Sequence, residues 1–146
     1  MRLFLSIEAK KAEETGLANI LNEVTKELSF VTAKSADLES LNNYGTGFRT
    51  VAIIPTCVDD NFWNAIGWKE RVYARKGEAD VRLRMDYERF VRETDQNKRL
   101  MFIDVIVKSI RKLKAKTTKD FDAEKLVADI LSVLNVKVEE LEGLNA

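Results

Sequence analysis

Apolar residues first fall in a short, nearly unbroken run, Leu3, Phe4, Leu5 and Ile7, which predicts a buried strand. From about Ala12 to Val31 the spacing changes. Leu17, Ile20, Leu21, Val24 and Leu28 recur every three or four residues and place one apolar stripe on an amphipathic helix. Gly16 weakens the start of that helix by up to about 1 kcal/mol relative to alanine. The stretch 32–49 is polar and rich in turn formers, and reads as a loop with one helical turn around Leu38 and Leu41. Thr50 to Thr56 is a strand of β-branched residues, and Pro55, which has no ladder N–H, puts its far end at a sheet edge or a bulge.

Asp59 to Lys69 reads as a loop or short helix carrying Phe62, Trp63, Ile66 and Trp68. A hairpin follows, with arms Glu70–Arg75 and Ala79–Tyr87 around Lys76-Gly77-Glu78. Its second arm alternates Ala79, Val81, Leu83 and Met85 with Asp80, Arg82, Arg84 and Asp86, the pattern of a sheet with one buried and one solvated face. Glu88 to Arg92 is a single helical turn. Asp95 is placed to cap a helix from Gln96 to about Ala115, whose apolar positions are too broadly spread for a narrow stripe and mark it as the central helix of the core. A last helix runs from Asp122, as N-cap, to Asn135, with Phe121 and Leu126 in staple positions. Residues 136–146 carry Glu139, Glu140 and Glu142 and read as a frayed acidic tail. The order β-α-β-β-β-α-α predicts one α+β domain over residues 1–146, a mainly antiparallel sheet with helices packed on one face.

Composition narrows the chemistry. The 146 residues include 24 Lys and Arg against 24 Asp and Glu, so the net charge is zero. A nucleic-acid binder draws much of its affinity from a basic excess, so nucleic acid is not the expected partner. The basic run Arg111-Lys112-Leu113-Lys114-Ala115-Lys116 sits where cations complement a helix C-terminus. The absence of histidine removes Ser-His-Asp and Cys-His sites and histidine metal ligands. The one cysteine, Cys57, fits a structural role in a reducing compartment. Gly45-Thr46-Gly47 lacks the third glycine and the following helix of a dinucleotide loop. No stretch is apolar enough to span a membrane and the opening apolar run is too short for a signal peptide, so the expected location is the cytoplasm. The expectation is a binding protein without enzymatic activity, cofactor or metal.

Two surfaces are candidates for a protein partner. Asp59, Asp60, Trp63 and Trp68 put aromatic rings beside two acids in one segment, and tryptophan is enriched at binding hot spots. The bland alternative is that these rings cap the core beneath a loop. Arg71, Arg75, Arg82 and Arg84 lie on the solvated side of the hairpin, joined by Tyr73 if it points the same way, and arginine suits bidentate carboxylate recognition. The alternative there is an ordinary charged face with ion pairs to Asp80 and Asp86. The composition also permits a homo-oligomer. Two competing functions remain open on the inventory of side chains: a small carboxylate-based hydrolase, which requires two convergent acids in a pocket, and a nucleic-acid-binding regulator, which requires a basic stripe joining Arg82 and Arg84 to the 108–116 helix end.

Certain segments, taken in order, carry a resemblance. These are Leu3-Phe4-Leu5-Ser6, then Tyr44-Gly45-Thr46-Gly47-Phe48 leading into Val51-Ala52-Ile53-Ile54-Pro55, then Asp80-Val81-Arg82-Leu83-Arg84-Met85-Asp86-Tyr87, the helix end Ser109-Ile110-Arg111-Lys112-Leu113, and the start Asp120-Phe121-Asp122. From Leu3 to about Leu134 the chain resembles the small bacterial immunity proteins that accompany polymorphic toxins, such as those of contact-dependent growth inhibition. The resemblance implies a protein that binds the C-terminal domain of a cognate toxin in the cytoplasm and neutralises it stoichiometrically. It transfers no site residues, because contact residues in such families diverge with each toxin.

Overall fold

The structure, a computed structural model, describes residues 2–5, 8–9, 16, 19–24, 26, 50–67, 69–75, 77–117 and 122–145. Strands β1 (Arg2–Leu5) and β2 (Glu8–Ala9) both pair in parallel with β3 (Thr50–Cys57), and β3 pairs in parallel with β5 (Glu78–Arg84). Strand β4 (Arg71–Arg75) is the antiparallel neighbour of β5. The sheet order is β1-β3-β5-β4, with β2 also on β3. The α+β class is the one the hydrophobic pattern predicts, but the sheet is mixed, not mainly antiparallel.

The connections explain the difference. Parallel neighbours need a crossover, whereas a two-residue turn joins only antiparallel ones. Between β1 and β3 the chain includes helical residues 19–24. Between β3 and β5 it runs through helix α1 (Asp60–Ile66) and then β4. Among the described residues, β4 and β5 are the only paired strands joined directly and the only antiparallel pair.

Pro55 is a second correction. β3 lies inside the sheet, so this proline is neither at an edge nor on an outer strand. Towards the N-terminal strands the described pairings end at Ile53 and resume at Thr56, so the proline, with no N–H to give, falls in the interval between them.

Alternation fixes the two faces of the sheet. Val51 and Ile53 on β3 and Ala79, Val81 and Leu83 on β5 are buried, while Ala52, Ile54, Asp80, Arg82 and Arg84 are half-buried. The buried face receives helix α3 (Asp95–Lys116), which contacts β3, β4 and β5. Eleven of the residues of α3 are buried, including Phe102, Ile103, Ile106 and Ile110, so it is covered on more than its sheet side. The remaining cover comes from helix α4 (Ala123–Leu134), through Leu126, Val127, Ile130 and Leu134, and from helix α5 (Val138–Leu144). Ile20 and Val24 of the N-terminal helical residues join the same core.

Helix boundaries follow from caps. Asp122 caps α4 as predicted, its side chain accepting from the Lys125 N–H at 3.1 Å. For α3 the cap is Thr94, whose Oγ1 accepts from the Asn97 N–H at 3.2 Å; Asp95, the predicted cap, is one residue inside the helix. The short helix α2 (Tyr87–Arg92) is capped by Asp86. The stretch from Val136, expected to fray as an acidic tail, instead contains α5. Its spacing puts Leu141 and Leu144 against the core, and the Glu140 carboxylate starts it by accepting from the Lys137 N–H at 3.1 Å. The predicted loop over 32–49, Leu17, Leu28, Trp68 and Phe121 lie outside the described residues.

Phe102 is fully buried at the centre of α3. Phe102→Ala is expected to lower the unfolding free energy by about 3–5 kcal/mol, measured by urea denaturation, through lost burial plus the cavity left behind. Glu93, which ends α2, supplies a pH test. Its carboxylate accepts from the Asn97 amide at 2.9 Å and from Arg89 Nε at 3.2 Å, and these two partners, the amide first, hold its pKa below the ordinary glutamate range. A depressed carboxylate stabilises the fold above its unfolded pKa, and that stabilisation is lost as pH falls through the folded one. Glu93→Gln is therefore expected to lose less stability than the wild type on acidification from neutral pH to the region below about 4.3, the ordinary glutamate pKa, as followed by thermal melts.

Candidate recognition surface

The parallel pairing of β3 and β5 sets their carboxyl ends side by side, with Thr56 opposite Arg84. The Met85 N–H donates to the Thr56 carbonyl at 2.8 Å, extending the contact past the last strand residue. Each strand then turns into a short helix through an aspartate cap. Asp59 accepts from the Phe62 N–H at 2.7 Å to start α1, and Asp86 accepts from the Arg89 N–H at 3.1 Å to start α2.

Arg84 ties these ends together. Its Nη2 donates to Asp60 Oδ1 at 2.5 Å and to the Val58 carbonyl at 3.2 Å, and its guanidinium lies 5.1 Å from the centroid of the Trp63 ring. Its backbone N–H donates to Glu70 Oε2 at 2.9 Å. Four of the sequence-predicted residues, Asp59, Asp60, Trp63 and Arg84, are thus brought into one cluster. Glu70, Asp86 and Glu88 are the other charged residues lining a cleft of about 360 Å³ with Asp59, Asp60 and Arg84. Glu70, Arg84, Met85 and Asp86 also border a second cleft of about 320 Å³, which continues to Asp104, Lys108 and Lys112 on α3 and Leu144 on α5.

The other predicted residues form a separate group on the polar side of the hairpin. The register sets Tyr73 opposite Asp80 and Arg71 opposite Arg82, so Tyr73 shares its face with Arg71, Arg75, Arg82 and Arg84. Arg71 Nε lies 3.1 Å from Asp80 Oδ1 and Arg75 Nη2 lies 3.2 Å from Glu78 Oε2. The Arg75 guanidinium stands 5.7 Å from the Tyr73 ring centroid, and Tyr73 is 47% exposed. The anticipated ion pair to Asp80 is present, made by Arg71; Asp86 serves as the α2 cap. Trp68 lies outside the described residues.

Sequence reasoning passed over Glu70 and Glu88, and placed Lys108 and Lys112 only in a basic stripe at the helix end. Glu70 is 14 positions before Arg84 and reaches it only because β4 and β5 fold back on each other, so no local spacing announces it.

The carboxylates around the first cleft mostly have structural partners: two cap helices, one pairs with Arg84 and one accepts a backbone N–H. Among the described residues no group of three or more His, Cys, Asp or Glu side chains is arranged to hold a metal ion. Cys57 is buried and its thiol is pushed up to about 12, first by burial and then by the Asp86 charge, which leaves a protonated, unreactive group. No helix of the described residues is long and apolar enough to cross a membrane.

Fold and surface together define a small α+β protein that displays ion-paired arginines and partly exposed aromatic rings. The chain belongs to the immunity protein 44 family, Imm44, whose model matches residues 1–136. Comparisons with curated proteins and with solved structures returned no match.

Removing the Arg84 charge while keeping its stem tests the cluster. Arg84→Met is expected to cost about 1.5–3 kcal/mol, the range for hydrogen bonds to charged groups. Faster amide exchange in α1 than in α3 would mark the loss as local to the strand ends.

Proposed function

We propose that this chain is an immunity protein that binds a cognate toxin domain and neutralises it stoichiometrically, in a contact-dependent growth inhibition system. The reading is carried by membership of the immunity protein 44 family over residues 1–136. Its action is occupancy, not turnover, and its place is the cytoplasm of the bacterium that makes the toxin. Protection requires slow release. The tightest protein pairs reach dissociation constants of about 10⁻¹³–10⁻¹⁶ M, and an interface of about 1,600 Å² supports high affinity when a few anchors are well packed.

The surfaces described above supply such anchors. Trp63 under Arg84, with Asp59 and Asp60 at the rim, forms one patch, and Tyr73 with Arg75 and Arg82 forms the other. Trp68 belongs to the same proposal by its position in the sequence.

Co-expression with the C-terminal toxin domain encoded beside this protein, with a tag on one partner, tests the reading. The expected result is a one-to-one complex by size exclusion and rescue of growth in cells making both. Absence of a complex, together with undiminished toxicity, would remove the proposal.

A further inference from the structure

Strand β4 is the last strand of the sheet. It has β5 on one side and, among the described residues, no strand on the other. Its hydrogen-bonding pattern follows from its register. Arg75 pairs with Glu78 across only two residues. A pairing that close forms only as a hydrogen-bonded pair, because the alternative needs a bond between the two adjacent turn residues. Hydrogen-bonded and non-hydrogen-bonded pairs then alternate along the ladder. Arg75, Tyr73 and Arg71 direct their backbone N–H and C=O towards β5. Val72 and Ala74 direct theirs away from it, at the open edge.

An open edge is a template for another strand, and the side chains on β4 select which one. On the polar face the strand offers Arg71, Tyr73 and Arg75 and no carboxylate. Arg71 and Arg75 already meet Asp80 and Glu78, but these pairs are exposed, and exposed pairs contribute little. A guanidinium has five donors and accepts a second carboxylate without giving up the first. A second copy of this chain is a poor occupant. Antiparallel pairing of two β4 strands about Tyr73 sets Arg71 of each copy opposite Arg75 of the other, and like charges directly opposite repel.

We propose that the partner adds an extended strand to the open edge of β4, with carboxylates directly across from Arg71 and Arg75 and an apolar or aromatic side chain across from Tyr73. The proposal rests on the toxin-binding reading and names the segment that the toxin domain would contribute: an acidic strand with two carboxylates four residues apart and an apolar or aromatic residue midway between them. Backbone bonds at Val72 and Ala74 supply attachment, and the arginines supply register and sign.

The test is titration calorimetry of the full chain against the toxin domain. Ala74→Pro removes an outward N–H and leaves the bonds to β5 in place, whereas Ala74→Thr keeps the N–H. Wild type and Ala74→Thr are expected to bind alike. Ala74→Pro, and separately the pair Arg71→Glu and Arg75→Glu, are expected to weaken binding by about tenfold or more, the size of one or two lost interfacial hydrogen bonds, with unchanged circular dichroism. A folded Ala74→Pro that binds as tightly as the wild type would overturn the strand and leave the immunity reading intact; a wild type that does not bind would overturn both. Should Ala74→Pro fail to fold, amide exchange of the wild-type complex decides: protection gained at Val72 and Ala74 supports the strand, and unchanged exchange there overturns it. A wild-type dimer that Ala74→Pro dissociates would also overturn it, since a second copy would then hold the edge.

Discussion

The contact between α3 and the buried face of β3 and β5 is the constraint on which the rest of the structure depends. The sheet has one apolar face and must cover it; α3 is apolar around most of its girth and must be covered by more than the sheet. Each requirement answers the other, and the excess apolar surface of α3 calls up α4 and α5. The same contact fixes the register of the hairpin. A one-residue slip in β5 would turn Val81 and Leu83 to solvent and drive Arg82 and Arg84 into α3. The position of Arg84 at the strand ends, where it gathers Asp60, Val58 and Trp63, is therefore a consequence of burying Leu83.

The elements were legible because each has a local signature. The alternation in β5, the broad apolar cover of α3 and the Asp122 cap all concern residues within a few positions of one another, and all are present in the structure. Strand direction was less accessible, although the β-α-β order at the N-terminus already implied a crossover. The direction of β5 relative to β3 depends on where a whole hairpin docks, which no window of sequence contains. α5 was missed because the charges Glu139, Glu140 and Glu142 dominate its composition. The two residues that anchor it, Leu141 and Leu144, are spaced three apart and find their partners only after α3 is in place.

The candidate surface divides along the same line. Tyr73 could be placed with Arg82 and Arg84 only through the pairing register, since a strand has no fixed partner until its hairpin closes. Asp59 and Asp60, adjacent in sequence, have different duties: one holds the end of α1 and the other holds Arg84. Adjacent carboxylates at a helix start point in different directions, so adjacency in the sequence gives them no common structural partner. Glu70 needed the complete fold to be seen at all.

This separation between core and polar face bears on how an immunity scaffold acquires specificity. Changing a side chain beneath α3 costs several kcal/mol because volume must be conserved there. The exposed pairs on the hairpin, Arg71 with Asp80 and Arg75 with Glu78, are each of a kind worth about 0–1 kcal/mol. Their replacement leaves the fold nearly as stable and alters only what the surface attracts or repels. Discrimination between partners is a difference in affinity that repulsion supplies as well as attraction. A surface of cheaply exchanged charges over a rigid, heavily buried helix is thus free to follow a changing partner without re-solving the folding problem. Arg84 is the exception. It faces the surface but also ties α1 to the strand ends, so its replacement disturbs the scaffold in a way that replacement of Arg71 or Arg75 does not.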